Sequence, residues 1–185
     1  MRNIWEGQLV RLRALEPEDW KAFFDWDQDT DMARTTYWVP FPGSQEQARK
    51  WTAEQALDRG KNHEYKWVIE NLSGEFVGML NTHTCDPRVG TFQYGVAVKR
   101  EQWRKGYASE AIRIVLGYFF RELRYQKVTV LVYDFNEPSL ELHRKLGFKE
   151  EGRLRRTVYT EGRYFDEVIL GMTVEEFEEL EALKH

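Results

Sequence analysis

Gly95-Val96-Ala97-Val98, followed by Gln102-Trp103-Arg104-Lys105-Gly106-Tyr107-Ala108-Ser109-Glu110-Ala111, is the stretch whose reading decides the fold. It reads as a short apolar strand, a basic glycine turn and an amphipathic helix that begins at the turn. Such a turn leaves several backbone N–H groups without helical partners and aims them, with the positive end of the helix dipole, at one point. That point is an anion site. Gly106 lets the backbone come close to a phosphate, and Arg104 and Lys105 add charge at the lip. Backbone chemistry alone leaves any phosphorylated ligand open. Ala108, Ala111, Ile112, Val115, Phe119 and Leu123 recur at steps of three and four, which gives the helix one apolar face to lay on a sheet. Neither a P-loop run of glycine, lysine and serine or threonine nor the paired glycines of a dinucleotide fingerprint is present.

A second constellation lies downstream. Asn136 to Phe148 reads Asn-Glu-Pro-Ser-Leu-Glu-Leu-His-Arg-Lys-Leu-Gly-Phe. Asn136 is a good N-cap, Pro138 is tolerated in a first turn, and Gly147 suits the position just past a helix end. The spacing predicts a short, sharply bounded helix. Asn136, His143 and Leu146 share one side of it, with Asn136 and His143 roughly 10 Å apart along the axis.

With both motifs in view, the chain resembles the GNAT superfamily of acyl-CoA-dependent N-acyltransferases, in the branch of ribosomal-protein N-terminal and polyamine acetyltransferases. The turn from Trp103 to Ala108 is similar to that family's pyrophosphate loop, and Asn136 to Phe148 is similar to its second cofactor motif. Leu9-Val10-Arg11-Leu12-Arg13, Pro17-Glu18-Asp19 and Gly162-Arg163-Tyr164-Phe165-Asp166 extend the resemblance over nearly the whole chain. It implies an α+β fold: one domain over residues 1–185, with a mixed, mostly antiparallel twisted sheet flanked by helices. The strands at Val98 and Val132 are then expected to splay. It implies acetyl-CoA as cofactor, held by the backbone of Val96, Ala97 and Val98, by the loop residues Trp103, Arg104, Lys105, Gly106, Tyr107, Ala108 and Ser109, and by Asn136, Ser139 and His143. It implies direct acetyl transfer to a primary amine, on a protein N-terminus, a polyamine or another small molecule.

Departures from the family pattern bear on proton transfer. Trp103 stands where glutamine or arginine often opens the loop, Gln93 where many members carry a glutamate, and His143 where many carry a tyrosine as general acid. His143 is the expected proton donor to the departing sulfur, with Asp134, His83, Glu64 or a water chain as base. Gln93, Tyr37, Trp38 and Phe41 are the expected acceptor-side residues. The same departures motivate a rival reading, a non-catalytic acyl-CoA-binding sensor.

Composition sets outer limits. At 185 residues, 42% hydrophobic and 31% charged, the chain has room for one substantial core. Cys85 is the only cysteine, which excludes an intrachain disulfide and a cysteine-based metal cluster. It precedes the turn signal Asp86-Pro87 and reads as an incidental thiol rather than a nucleophile. A net charge of −4 argues against broad nucleic-acid binding. No apolar run approaches the roughly 20 residues of a membrane span, and Met1-Arg2-Asn3-Ile4-Trp5-Glu6 lacks a signal-peptide core. A cytoplasmic protein without metal or membrane contacts is expected, with a homodimer favoured by the resemblance.

Pattern places the remaining elements. Leu9–Arg13 alternates as a strand and Pro17 to about Gln28 reads as a helix. Ser44 with Gln47 forms a capping box before a helix to about Arg59. Strands follow at Tyr65–Glu70 and Phe76–Asn81, joined through Ser73-Gly74, then at Thr91–Val98 and Lys127–Tyr133. Phe148–Thr160 and Tyr164–Met172 flank the hairpin signal Glu161-Gly162, ahead of an acidic last helix. Asp25, Asp27, Asp29 and Asp31 alternate at a helix end and lack the pattern of a calcium loop. They read better as a solvated helix end than as a lure for a cationic amine. Arg153 and Arg155 share a strand face, which suits a solvated surface or a subunit contact.

Overall fold

A computed structural model describes residues 3–36 and 39–183. Its strands are β1 (Val10–Arg13), β2 (Lys66–Asn71), β3 (Phe76–Asp86), β4 (Thr91–Val98), β5 (Lys127–Tyr133), β6 (Lys149–Thr160) and β7 (Arg163–Thr173). Its helices are α1 (Trp20–Trp26), α2 (Thr30–Thr36), α3 (Gln45–Ala56), α4 (Tyr107–Arg121), α5 (Glu137–Lys145) and α6 (Val174–Ala182). The seven strands form one mixed sheet in the order β1-β2-β3-β4-β5-β7-β6. The chain divides into two compact units, Met1–Thr82 with Gly95–Val115 and His83–Tyr94 with Leu116–His185.

In the first unit β1, β2 and β3 pair as an antiparallel meander, with Leu12 opposite Ile69 and Trp67 opposite Leu80. Leu15, Phe23, Val68 and Phe76 bury together, with Trp26 and Met79 packed against them. A charged cluster closes this region. Arg13 donates to Asp19 at 2.8 Å and to Glu70 at 2.5 Å, and Arg11 also donates to Glu70. Burial opposes the charge on Asp19 most strongly of any one effect, but the Arg13 hydrogen bonds, the Glu16 amide and the Arg13 charge together outweigh it and hold the carboxyl below its usual range.

The expected helix from Pro17 to about Gln28 forms as two pieces, and a further helix follows it. A 3-10 turn over Pro17–Asp19 leads into α1, and α2 restarts at Thr30. The restart has a local cause: the Asp29 carboxylate accepts from Met32 N at 3.0 Å and its carbonyl accepts from Ala33 N at 2.9 Å, which caps a new helix. Ser44 and Gln47 form their capping box as read, with bonds of 3.1 and 2.8 Å. Helix α3 stops at Ala56, short of the expected Arg59, and β3 runs on to Asp86, past the expected Asn81.

In the second unit β4 runs parallel to β5 from Thr91↔Lys127 to Gln93↔Thr129, where the ladder ends. β5 then pairs antiparallel with β7, and β7 with β6. The hairpin at Glu161 and Gly162 has positive φ at both residues, 50° and 78°, as a tight two-residue turn requires. Phe92 alternates inward and meets Phe119 at 4.1 Å between ring centroids, Tyr125 at 5.3 Å and Phe120 at 6.0 Å. Leu123 falls beyond the end of α4, while Leu116 and Phe120 occupy buried positions on the helix. Phe92→Ala removes the centre of this ring cluster and is expected to cost about 3–5 kcal/mol, read as a lowered denaturant midpoint with unchanged slope.

Candidate functional site

The basic turn is built by side chains that hold its underside. The Trp103 indole Nε1 donates to the Val98 carbonyl at 2.6 Å, folding the chain back as β4 ends. Gln102 is buried; its Nε2 donates to Glu75 at 2.7 Å and its Oε1 accepts from Lys105 Nζ at 2.7 Å. Glu75 in turn accepts from Asn71 Nδ2 at 2.9 Å. Lys105 is thus tethered by its ammonium group, whereas the Arg104 side chain is exposed.

Backbone geometry at the turn is special at two residues. Gly106 lies at φ +85°, and a Cβ there would also meet Leu9 Cδ1 at 3.0 Å. Arg104 adopts φ +61°, a left-handed conformation that costs a non-glycine residue about 1–2 kcal/mol. The first intrahelical bond of α4 runs from Glu110 N to Gly106 O at 3.0 Å, so the amides of Tyr107, Ala108 and Ser109 stand ahead of the helical ladder. Glu110 fixes this first turn, its carboxylate accepting from the amides of Gln8, Leu9 and Val10 at 2.8, 2.7 and 2.8 Å. A diphosphate fits such a place: advanced amides, a dipole of the right sign, a residue without Cβ and two cations.

In the second unit, Asn136 caps α5 as read, its side chain accepting from Ser139 N at 3.2 Å. Pro138 lies in the first turn and Gly147 takes φ +93° just past the end. His143 turns inward and is 2% exposed. Its Nδ1 donates to the Ser139 carbonyl at 2.7 Å, with Ser139 Oγ 3.4 Å away. The ring stacks on Tyr94 at 5.8 Å and stands edge-on to Phe148 at 5.1 Å. Burial pushes the imidazole pKa down to about 4, against a smaller opposing effect of the Ser139 hydrogen bond. The protonated imidazole expected at this position is therefore disfavoured near neutrality, and Nε2 is left as a buried acceptor without a partner.

The other expected residues scatter. Asp134 leads into α5 with Oδ1 buried and without a hydrogen-bond partner. Gln93 stands opposite Thr129 in the ladder, half-buried. His83 pairs with Thr84 Oγ1 at 3.1 Å, and Glu64 is exposed. Phe41 is 97% exposed, and Tyr37 and Trp38 lie outside the described residues. Asp29 is engaged by Arg100 through bonds of 2.8 and 3.1 Å, so this part of the aspartate run is structural. Arg153 pairs with Glu150, and Arg156 lies over the Tyr164 ring at 4.5 Å. The sequence reading missed Tyr94 and the Gln102–Glu75 support. Alternation with Phe92 signals that Tyr94 points inward, whereas the Gln102 contact is tertiary and has no local signature.

The His143 shift sets a pH dependence. The unfolded chain protonates this imidazole near 6.5 and the folded chain only near 4. Its contribution to stability is therefore whole above pH 6.5 and is lost as pH falls from 6.5 toward 4, by about 3 kcal/mol. Urea unfolding across that range checks this, and His143→Asn is expected to flatten the slope.

Residues 10–149 match the family model described as acetyltransferase (GNAT) domain. The chain is 42% identical over 176 residues to the SPbeta prophage-derived uncharacterized N-acetyltransferase YokL of Bacillus subtilis (strain 168), covering 95% of this chain and 96% of that one. It is 26% identical over 155 residues to the spermidine N(1)-acetyltransferase of Escherichia coli (strain K12), covering 84% and 81%. Among solved structures, a spermidine N-acetyltransferase from Vibrio cholerae in complex with CoA and spermine superposes with a TM-score of 0.78 at 21% identity, covering 93% and 99%. A putative acetyltransferase from T. thermophilus reaches 0.80 at 25% identity, covering 98% and 96%. The turn and the capped α5 are thus parts of a known enzyme fold, and the chain belongs to the GNAT acetyltransferase family, transferring an acetyl group from acetyl-CoA to an amine.

Proposed function

We propose that the acceptor is the primary amine of a small molecule, and that acetyl-CoA is gripped by its diphosphate on the turn Trp103–Ser109. The observation that carries the grip is the turn itself, with Gly106 at φ +85° and three amides ahead of the α4 ladder. Arg104 and Lys105 supply charge, and Tyr107, Ala108 and Ser109 supply N–H donors. Val96 and Ala97 would hold the pantetheine arm through their backbone, as an added strand is held. Val98 would join them, its carbonyl also accepting from the Trp103 indole. Asn136 and Ser139 complete the cofactor set, although the Asn136 side-chain oxygen also serves the α5 cap. When bound, acetyl-CoA supplies an acetyl thioester, activated toward an amine nucleophile.

The small-molecule reading is supported by relatives named as spermidine N(1)-acetyltransferases, and nothing in the comparisons favours the sensor alternative. Asp134, with one buried carboxylate oxygen unpartnered, is our proposed proton acceptor. A cytoplasmic setting is part of this reading; no helix among the described residues is long and apolar enough to cross a membrane.

Thiol release from acetyl-CoA, followed across a panel of polyamines, other small primary amines and peptides with free amino termini, tests the acceptor. Turnover with one or more small amines is expected. Turnover confined to peptides would overturn the small-molecule reading, and tight CoA binding without turnover on any amine would restore the sensor. Gly106→Ala is expected to weaken CoA binding by about tenfold or more in calorimetry, since alanine resists the required φ and its Cβ crowds Leu9.

A further inference from the structure

Within the first compact unit the basic turn is joined to the β2–β3 hairpin by a chain of side chains, Asn71, Glu75, Gln102 and Lys105. Each link has a fixed direction. Asn71 Oδ1 accepts from the amides of Ser73 and Glu75 at 3.0 and 2.9 Å, so Nδ2 is the end left to face Glu75, and it donates to Oε2 at 2.9 Å. Glu75 Oε1 accepts from Gln102 Nε2 at 2.7 Å. A carboxylate accepts on both oxygens and donates from neither, and this settles which way the Gln102 amide is turned. Its Oε1 then faces Lys105 and accepts from the ammonium at 2.7 Å. Asn71 and Gln102 are both buried, which makes any mismatched arrangement of their amides costly.

Two consequences fall on the turn. The bond between Gln102 and Lys105 spans Trp103 and Arg104, and so closes the loop in which Arg104 takes φ +61°. The ammonium is also held by a neutral amide. Lys105 has no carboxylate partner among the described residues, so its charge is fixed in place without being cancelled. We propose that Glu75 is a positioning residue for the cofactor diphosphate, orienting the Gln102 amide so that Lys105 and the backbone around Arg104 are set before the anion arrives.

This rests on the acetyl-CoA reading above, and it reverses the sign that charge alone would give. Removing a carboxylate from the neighbourhood of an anion site favours the anion by Coulomb attraction. In Glu75→Gln, however, the Asn71 amide is locked by its two backbone donors, so the new side chain gives its oxygen to Asn71 and its NH2 to Gln102. Gln102 must then turn Oε1 toward that NH2 and its own NH2 toward Lys105, where a donor meets a cation. The lysine is released. CoA binding weakens although a negative charge has gone.

Calorimetry of CoA binding to the intact chain carrying Glu75→Gln, Lys105→Met or both tests this. Each single variant is expected to raise Kd by about tenfold, and Glu75→Gln added to Lys105→Met is expected to leave Kd within about twofold or to lower it. The loss in Glu75→Gln is expected in KM for acetyl-CoA rather than in kcat. Gln102→Met removes the acceptor of Lys105 without changing charge; it is expected to give the same loss with the same dependence on Lys105, and it decides the matter if Glu75→Gln does not fold. Unchanged or tightened binding in a folded Glu75→Gln or Gln102→Met chain would overturn the assignment. Equal losses with and without Lys105 would also overturn it, in favour of a general packing role. A folded wild-type chain that does not bind CoA would overturn the acetyl-CoA reading itself, whereas wild-type binding with unaffected variants would overturn this assignment alone.

Discussion

An α-helix begins with amides that its own ladder cannot satisfy, and the rest of this site depends on where those amides are aimed. At α4 the chain must reverse direction within a few residues of β4 and present the amides of Tyr107 to Ser109 without a side chain in the way. That requires left-handed backbone at Gly106 and at Arg104, which does not adopt it readily. The compensation is visible in what holds the turn: Trp103 clasped to Val98, Lys105 to Gln102, and Gln102 to Glu75. Strain is tolerated at Arg104 because its neighbours over-determine the conformation.

The α5 region follows a different logic. Its helix is short and depends on end effects, with Asn136 at the start and Gly147 after the end, because nine residues of modest propensity would not hold a helix unaided. That economy places His143 one turn from Ser139, whose carbonyl takes its Nδ1 hydrogen and fixes the tautomer. Packing of Tyr94 and Phe148 around the ring then makes the histidine a neutral, stacked element. Its chemistry is decided by burial, and a histidine in the same helix but open to solvent would behave as an ordinary titrating base.

Much of this was legible in the order of residues, and the reason is local. Ser44 with Gln47, Asn136 with Pro138 and Gly147, and Glu161-Gly162 each state their geometry within a few positions, and each occurs in the expected role. The inward face of α4 was legible because its period is that of a helix, apart from Leu123. What could not be read depends on distant partners. Asp29 reads in the sequence as one more solvated aspartate, yet Arg100, far along the chain, holds it. Burial set the His143 proton affinity, and no spacing rule reports burial to that degree. Tyr94 was readable as inward-facing, yet its hydroxyl having no hydrogen-bond partner is a property of everything around it.

The central claim is that the amides at the start of α4 hold the diphosphate of acetyl-CoA. Amide hydrogen exchange, measured with and without saturating CoA, addresses it most directly because it reports on those N–H groups themselves. Slowed exchange centred on Arg104 to Ser109 is the result this account predicts. Binding of CoA that leaves exchange at those amides unchanged while protecting some other segment would contradict it.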